Sequence, residues 1–284
     1  MQKVKIVTHS GCDLSFQEAE KYDISMIPDW VIIKEKEYRN NIDIYPDTFY
    51  ARLEESEELP TSAHPSPAEF MDAFRSVADH EEIIFIALSS KLTGTYNTAS
   101  IAAQLLEDEE FPSRIHVFDS CQASYGAALI VLEAAKLAQE GLNAEEIIER
   151  LNELVPRIGV FFVMNTLKYA YKGGRIGAIS AITADTLGIK PLLVFKDGTV
   201  SDLSLNRTFN EGLKSVYKRY RRHIGEDKET IIFHACNEKG ALKLKSMIQK
   251  DYPDVEPRIE LIGPVIGLYT GTGCVGIAFK KKEA

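Results

Sequence analysis

At 284 residues the chain is longer than the usual single domain of about 100 to 150 residues, so two domains are the expectation. A composition of 45% hydrophobic and 26% charged residues is that of a folded globular protein and excludes a disordered or low-complexity chain. The formal charge of -9 excludes nonspecific nucleic-acid binding, which rests on cationic groups displacing counterions at phosphates.

Met1-Gln2-Lys3-Val4-Lys5 leads directly into a strand-like run, without the apolar segment of about 7 to 15 residues that marks a secretory signal. No apolar stretch approaches the roughly 18 residues of a membrane span. The expectation is a cytoplasmic protein, not integral to a membrane, whose contact with membrane surfaces is at most transient. The four cysteines, Cys12, Cys121, Cys236 and Cys274, include no C-x-x-C pair, and the six histidines lack metal-binding spacing. Free thiols and no metal site follow.

Short β-branched runs predict strands at Val4 to Thr8, Met26 to Ile33, Ile83 to Leu88 and Ile115 to Phe118. Helices alternate with them. Ser66-Pro67-Ala68-Glu69 is a capping box with proline at the first helical position, followed by Phe70, Phe74 and Val77 on one face. Asn143-Ala144-Glu145-Glu146 opens another, with Ile147, Ile148, Leu151 and Leu154. This alternation predicts a mostly parallel sheet with helices on both faces.

After Pro156 the predicted strands are Val160 to Val163, Leu192 to Phe195, Ile231 to His234, Ile259 to Ile262 and Val275 to Phe279, with Asp197-Gly198 as a hairpin signal. A helix bearing Lys214, Lys218, Arg219, Arg221 and Arg222 buries Phe209, Leu213, Val216 and Tyr220. The fold class is therefore α/β, with an amino-terminal α/β lobe over residues 1–152 and a carboxy-terminal α+β lobe over 153–284.

Four polar stretches stand out: Thr61-Ser62-Ala63-His64-Pro65-Ser66, Thr93-Gly94-Thr95-Tyr96, Tyr171-Lys172-Gly173-Gly174-Arg175-Ile176, and the glycine-rich run from Gly263 to Gly273. Each sets hydroxyl or glycine residues beside an apolar run, which exposes N–H and O–H donors at the rim of a core. Thr61, Ser62 and Thr93 stand where the pattern predicts helix starts, whose unpaired N–H groups and dipole stabilise an anion. The commoner use of such residues is simple capping. Likewise, Gly-Gly-Arg is commonly a helix stop followed by a surface charge.

In this order, the four stretches resemble the DegV family, which includes the fatty-acid-binding subunits of bacterial fatty acid kinase; the likeness runs from Ile6 to Phe279. It implies a two-lobed fold with a ligand tunnel between the lobes and the segment near residues 61–80 packing toward the second. It also implies a long-chain fatty acid as ligand, with no cofactor and no metal. Thr61, Ser62, Thr93, Gly94, Tyr269 and Thr270 would bind its carboxylate. Arg175 and Arg207, with Lys190 adding to the field, would stand at the rim and support phosphoryl transfer. Burying about fourteen methylenes at about 0.8 kcal/mol each gives roughly 11 kcal/mol, against about 1 kcal/mol per head-group hydrogen bond. The tail supplies affinity and the head orientation.

The implied role is non-catalytic: presentation of the carboxylate to a separate ATP-dependent kinase subunit that forms the acyl phosphate. Three positions depart from the family pattern. Tyr269 and Thr272 stand where relatives carry histidine and proline, and His9 where they carry aspartate. Tyrosine is a neutral donor, so positive charge is lost at that position. One alternative is a lipid carrier or regulator uncoupled from any kinase. Another is an acyl hydrolase with Thr93 or Ser62 as nucleophile and His64 or His116 as base, although no G-x-S-x-G elbow is present. A nucleotide binder is disfavoured by the lack of a P-loop and of G-x-G-x-x-G spacing.

Overall fold

The computed structural model describes residues 3–56, 58–175 and 188–283. In chain order the elements are β1 (Val4–His9), α1 (Phe16–Lys21), β2 (Ile24–Ile27), β3 (Trp30–Ile33), β4 (Lys36–Arg39), α2 (Pro46–Glu55), β5 (Thr61–Ala63), α3 (Pro67–Arg75), β6 (Glu82–Ala87), α4 (Thr95–Asp108), β7 (Arg114–Asp119), α5 (Tyr125–Gln139) and α6 (Ala144–Leu154). There follow β8 (Ile158–Val163), α7 (Lys168–Lys172), β9 (Lys190–Lys196), β10 (Thr199–Asn206), α8 (Phe209–His223), β11 (Thr230–His234), α9 (Glu238–Asp251), β12 (Arg258–Leu261), α10 (Pro264–Thr270) and β13 (Val275–Lys280). Two compact units result: Met1–Ile44 with Ser62–Pro156, and Tyr45–Thr61 with Arg157–Ala284. Of the stretch around residues 61–80, Thr61 groups with the second unit and the remainder with the first. No helix among the described residues is long and apolar enough to cross a membrane.

The first unit is built on a parallel sheet of order β2-β1-β6-β7. Ile6 stands opposite Ile24 on one side and Ile84 on the other. On one face Val7, Ile83 and Phe85 meet Phe70 and Phe74 of α3 and Ala99 and Leu106 of α4. Ile84 and Ile86, of opposite parity, are fully buried too, and α5 packs on β1. Sheets covered on both faces read as continuous apolar runs, which is why β6 is Ile-Ile-Phe-Ile-Ala. The expected capping box forms at Ser66–Glu69, and the helix start expected at Asn143 is a second one, closed by Glu146.

The single strand expected over Met26 to Ile33 is instead two. β2 belongs to the parallel sheet, whereas β3 pairs antiparallel with β4. Pro28 lacks an N–H for a ladder, and the carboxylate of Asp29 is taken up by Ser10 and Gly11 at the end of β1.

The second unit has a mixed sheet of order β10-β9-β8-β13-β11-β12. One face is covered by α8 and α9, whose Leu213, Val216, Tyr220, Leu244 and Ile248 meet Phe161, Ile232, Ile277 and Phe279. On the other face the register aligns Leu193, Phe162, Gly276 and Phe233 in one row. A Cβ at Gly276 would lie 2.3 Å from the Phe233 ring and 2.5 Å from Phe162, so the rings fill the space that glycine leaves. Asp197 and Gly198, at φ 52° and 77°, make the expected hairpin between β9 and β10 with the two left-handed residues that a type I′ turn requires. The early excursion supplies α2, whose Tyr50 hydroxyl donates to the Ile262 carbonyl at 3.0 Å. Gly267 of α10 leaves room for that ring: a Cβ there would lie 2.7 Å from the Tyr50 hydroxyl.

Candidate ligand-binding site

In the first unit, the parallel strands β1, β6 and β7 all deliver their loops at one edge. The strand order reverses between β1 and β6, and the crevice outside the carboxyl ends at such a point is where open α/β sheets bind ligands. The loop leaving β6 carries Thr93 and Gly94 to the start of α4. Gly94 caps α4 without any side-chain bond, and the first amide of this 14-residue helix, that of Thr95, donates instead to Thr93 Oγ1 at 3.4 Å. Thr93 Oγ1 stands there, 2.8 Å from Thr95 Oγ1, and the Thr93 amide donates to the Ser89 carbonyl at 3.2 Å. His64 covers Gly94, since a Cβ at that glycine would lie 3.0 Å from the imidazole, whose Nε2 is 2.9 Å from Thr98 Oγ1. This contact was not legible in the sequence, where His64 stood out only as a base.

Thr61 and Ser62 correct one expectation. They lie in the short strand β5, not at a helix start; the cap of α3 is Ser66, held by Glu69. Thr61 is exposed and Ser62 half-buried. The hydrolase pairing gains no support either. His116 Nε2 faces Glu82 at 3.1 Å and His64 faces Thr98, so each of these nitrogens engages a group other than Thr93.

In the second unit, two of the four stretches meet. The glycine-rich run forms α10, which ends at Gly271 with φ 62°. A Cβ there would sit 2.0 Å from the Tyr169 ring of α7, and one at Gly173 would sit 2.6 Å from the Tyr269 ring. Each glycine thus accepts an aromatic from the other stretch. The Arg175 guanidinium lies 4.9 Å from the centre of the Tyr269 ring, a cation–π geometry, and donates to the Gly173 carbonyl at 2.7 Å. Ile176, the last residue of that stretch, lies outside the described residues. Lys190 Nζ donates to the Asn165 carbonyl at 2.6 Å, on the loop that packs under Gly273. Beside it, burial holds His234 below its usual pKa, and its Nδ1 accepts the Asn237 amide at 3.3 Å.

Thr270 is the notable member of this group. It is 8% exposed, and among the described residues its Oγ1 is the one buried side-chain hydroxyl without a hydrogen-bond partner. A buried hydroxyl with no partner costs about 1 to 3 kcal/mol, so it calls for an acceptor beyond the described residues. Among the described residues, Arg207 makes no side-chain hydrogen bond to this cluster. It is exposed before α8, and its backbone N–H donates to Glu211 at 3.0 Å.

The fold is that of a two-unit α/β protein, each unit of which carries hydroxyl residues beside a glycine-containing turn. The chain belongs to the DegV family: the model described as "Uncharacterised protein, DegV family" matches residues 3–282. A DegV domain-containing protein of Halalkalibacterium halodurans is 32% identical over 98% of this chain and 99% of its own length. A Thermus thermophilus DegV family protein described for its fatty acid binding superposes with a TM-score of 0.89 at 27% identity, covering 98% of this chain and 99% of that one. A stearic-acid-binding protein of Eubacterium ventriosum gives 0.85 at 27% identity, with 98% of each chain covered.

Proposed function

We propose that the protein binds one long-chain fatty acid and presents its carboxylate, in the cytoplasm, to a separate ATP-dependent kinase subunit. The observation that carries the reading is the partnerless buried hydroxyl of Thr270, set in the glycine-rich stretch of a family whose solved members bind fatty acids. A carboxylate is an acceptor with two oxygens, and the donors assigned to it are the hydroxyls of Thr61, Ser62, Thr93, Tyr269 and Thr270 and the amide of Gly94. The apolar wall assigned to the chain is the row of Phe162, Phe195 and Phe233. Arg175 and Arg207 are the rim cations. In the transfer a carboxylate oxygen attacks the γ-phosphorus of ATP and ADP leaves. Nucleotide and magnesium belong to the kinase, and this chain positions the nucleophile.

Native mass spectrometry of the purified protein, followed by lipid extraction, tests this: one acyl chain per monomer is expected. Protein that is empty and takes up no added fatty acid refutes it. One observation favours a second reading, a carrier uncoupled from any kinase. Arg175 is engaged on the Tyr269 ring, and tyrosine supplies no positive charge where relatives carry histidine. A fatty-acid-loaded protein that no bacterial acyl kinase phosphorylates would select that reading.

A further inference from the structure

The end of β1 carries a buried polar network that the ligand site does not use. His9 and Asp29 are 1% and 3% exposed, and His9 Nδ1 lies 2.9 and 3.0 Å from the two oxygens of the Asp29 carboxylate. The same carboxylate accepts the Ser10 hydroxyl at 2.9 Å and the Gly11 amide at 2.8 Å. On the other side of the ring the Leu88 amide donates to His9 Nε2 at 3.1 Å. A backbone N–H can only donate, so Nε2 carries no proton; the proton sits on Nδ1 and is given to Asp29. His9 therefore bridges two chain segments: the approach to β3, through Asp29, and the exit of β6, through Leu88.

What leaves β6 after Leu88 is the loop bearing Thr93. The next residue, Ser89, donates its amide to the Gln122 carbonyl at 2.8 Å, and its own carbonyl accepts the amides of Leu92 at 3.0 Å and Thr93 at 3.2 Å. Hydrogen bonds thus tie Asp29 to His9 and His9 to the Leu88 amide, and one residue along the backbone the Ser89 carbonyl holds the amide of Thr93. Such a relay holds a loop in one geometry because each buried group loses its partner if the loop shifts. The geometry points to His9, with Asp29 orienting it, as a positioning residue for the head-group loop: it sets how well Thr93 and the start of α4 meet a carboxylate. It rests on the fatty-acid reading above and adds to it the residue that governs selection of an acid head.

The test compares binding of oleic acid and methyl oleate by the full-length protein and its His9→Leu variant. Leucine can neither accept from the Leu88 amide nor donate to Asp29, so the relay is cut. Wild type should favour the acid. In the variant, acid affinity should fall about tenfold, the loss of one hydrogen bond to a charged group, while ester affinity stays within about twofold. A variant that keeps the full acid-over-ester preference, or loses both ligands equally, overturns the role of His9 and leaves the fatty-acid reading standing. Wild type that binds neither ligand sinks that reading, and this one with it. If the variant does not fold, amide exchange of Leu88 in the wild-type protein decides. By reciprocity of coupling, oleic acid should slow it several-fold and methyl oleate should not. Equal slowing by both, or none, overturns the inference.

Discussion

The two units handle their polar groups in opposite ways. In the first, hydroxyls at the strand ends answer one another: Ser10 with Asp29, Thr93 with Thr95, Ser124 with Asp13. Among the described residues, the buried side-chain atoms without partners there are the amide oxygens of Asn40 and Gln122, which are acceptors and repel an anion. In the second, glycines admit aromatic rings against the backbone, and donors such as the Thr270 hydroxyl and the Arg157 Nε are left over among the described residues. The first unit thus closes its polar network at the start of α4, and the second keeps unmet donors. A polar network that closes on itself fixes geometry, whereas a leftover donor keeps room for a further acceptor.

The largest expected effect breaks the aromatic-on-glycine packing of the second unit. Gly271→Ala puts a Cβ within 2.0 Å of the Tyr169 ring at a left-handed backbone position, so strain and overpacking act together. A loss of about 3 kcal/mol in urea unfolding is expected, with the first unit's Gly141→Ala, whose Cβ meets nothing within 4 Å, costing only the backbone strain of about 1 kcal/mol.

Next come paired substitutions of the two threonines. Thr270→Val removes a hydroxyl that has no partner, so the ligand-free protein should keep its stability or gain about 1 kcal/mol, while fatty acid affinity falls about tenfold. Thr93→Val should lower affinity similarly but also destabilise the free protein by about 1 kcal/mol, because Thr95 loses its partner. Calorimetric melting beside ligand titration separates the two; equal stability changes would erase the contrast between the units.

Tyr269→His should leave acyl retention within about twofold and raise phosphorylation by a partner kinase, since imidazole can carry the charge that phenol cannot. Arg175→Ala should reduce phosphorylation more than retention. Equal loss of both would make Arg175 a ligand-holding residue.

The smallest effect is confined to alkaline pH. Burial pushes the Tyr220 hydroxyl of α8 up to about 12. A folded-state value above the ordinary value of about 10 means the neutral phenol is favoured by folding. That stability is fully present below pH 10 and is lost as pH rises toward 12. Tyr220→Phe should flatten the decline in melting temperature across this window, at a cost of about 1 kcal/mol at neutral pH for the lost bond to Thr230. Cys12 in the first unit, raised to about 12 by burial, declines in an overlapping range and should be unaffected by the substitution.

The capping box at Ser66, the helix start at Asn143, the apolar runs of β6 and β8 and the Asp197-Gly198 turn were legible because local chemistry decides them: a cap, a buried strand and a tight turn each depend on residues a few positions apart. The family likeness was legible too, in four stretches whose residue types survive as a pattern. Other features depended on distant partners. Pro28-Asp29 splits one apolar run into two strands because Asp29 is claimed by the end of β1. Thr61 and Ser62 become a strand although a helix cap stands four residues on. The glycines from Gly263 to Gly273 make a helix because Phe49 and Tyr50 fill the space beside Gly267 and Tyr169 that beside Gly271. Sequence by itself determined which segments were apolar, where they turned and which donors were available. Tertiary structure decided which of those donors were already spent on the chain and which, like Thr270, were not, because hydrogen-bond satisfaction belongs to pairs that only folding brings together.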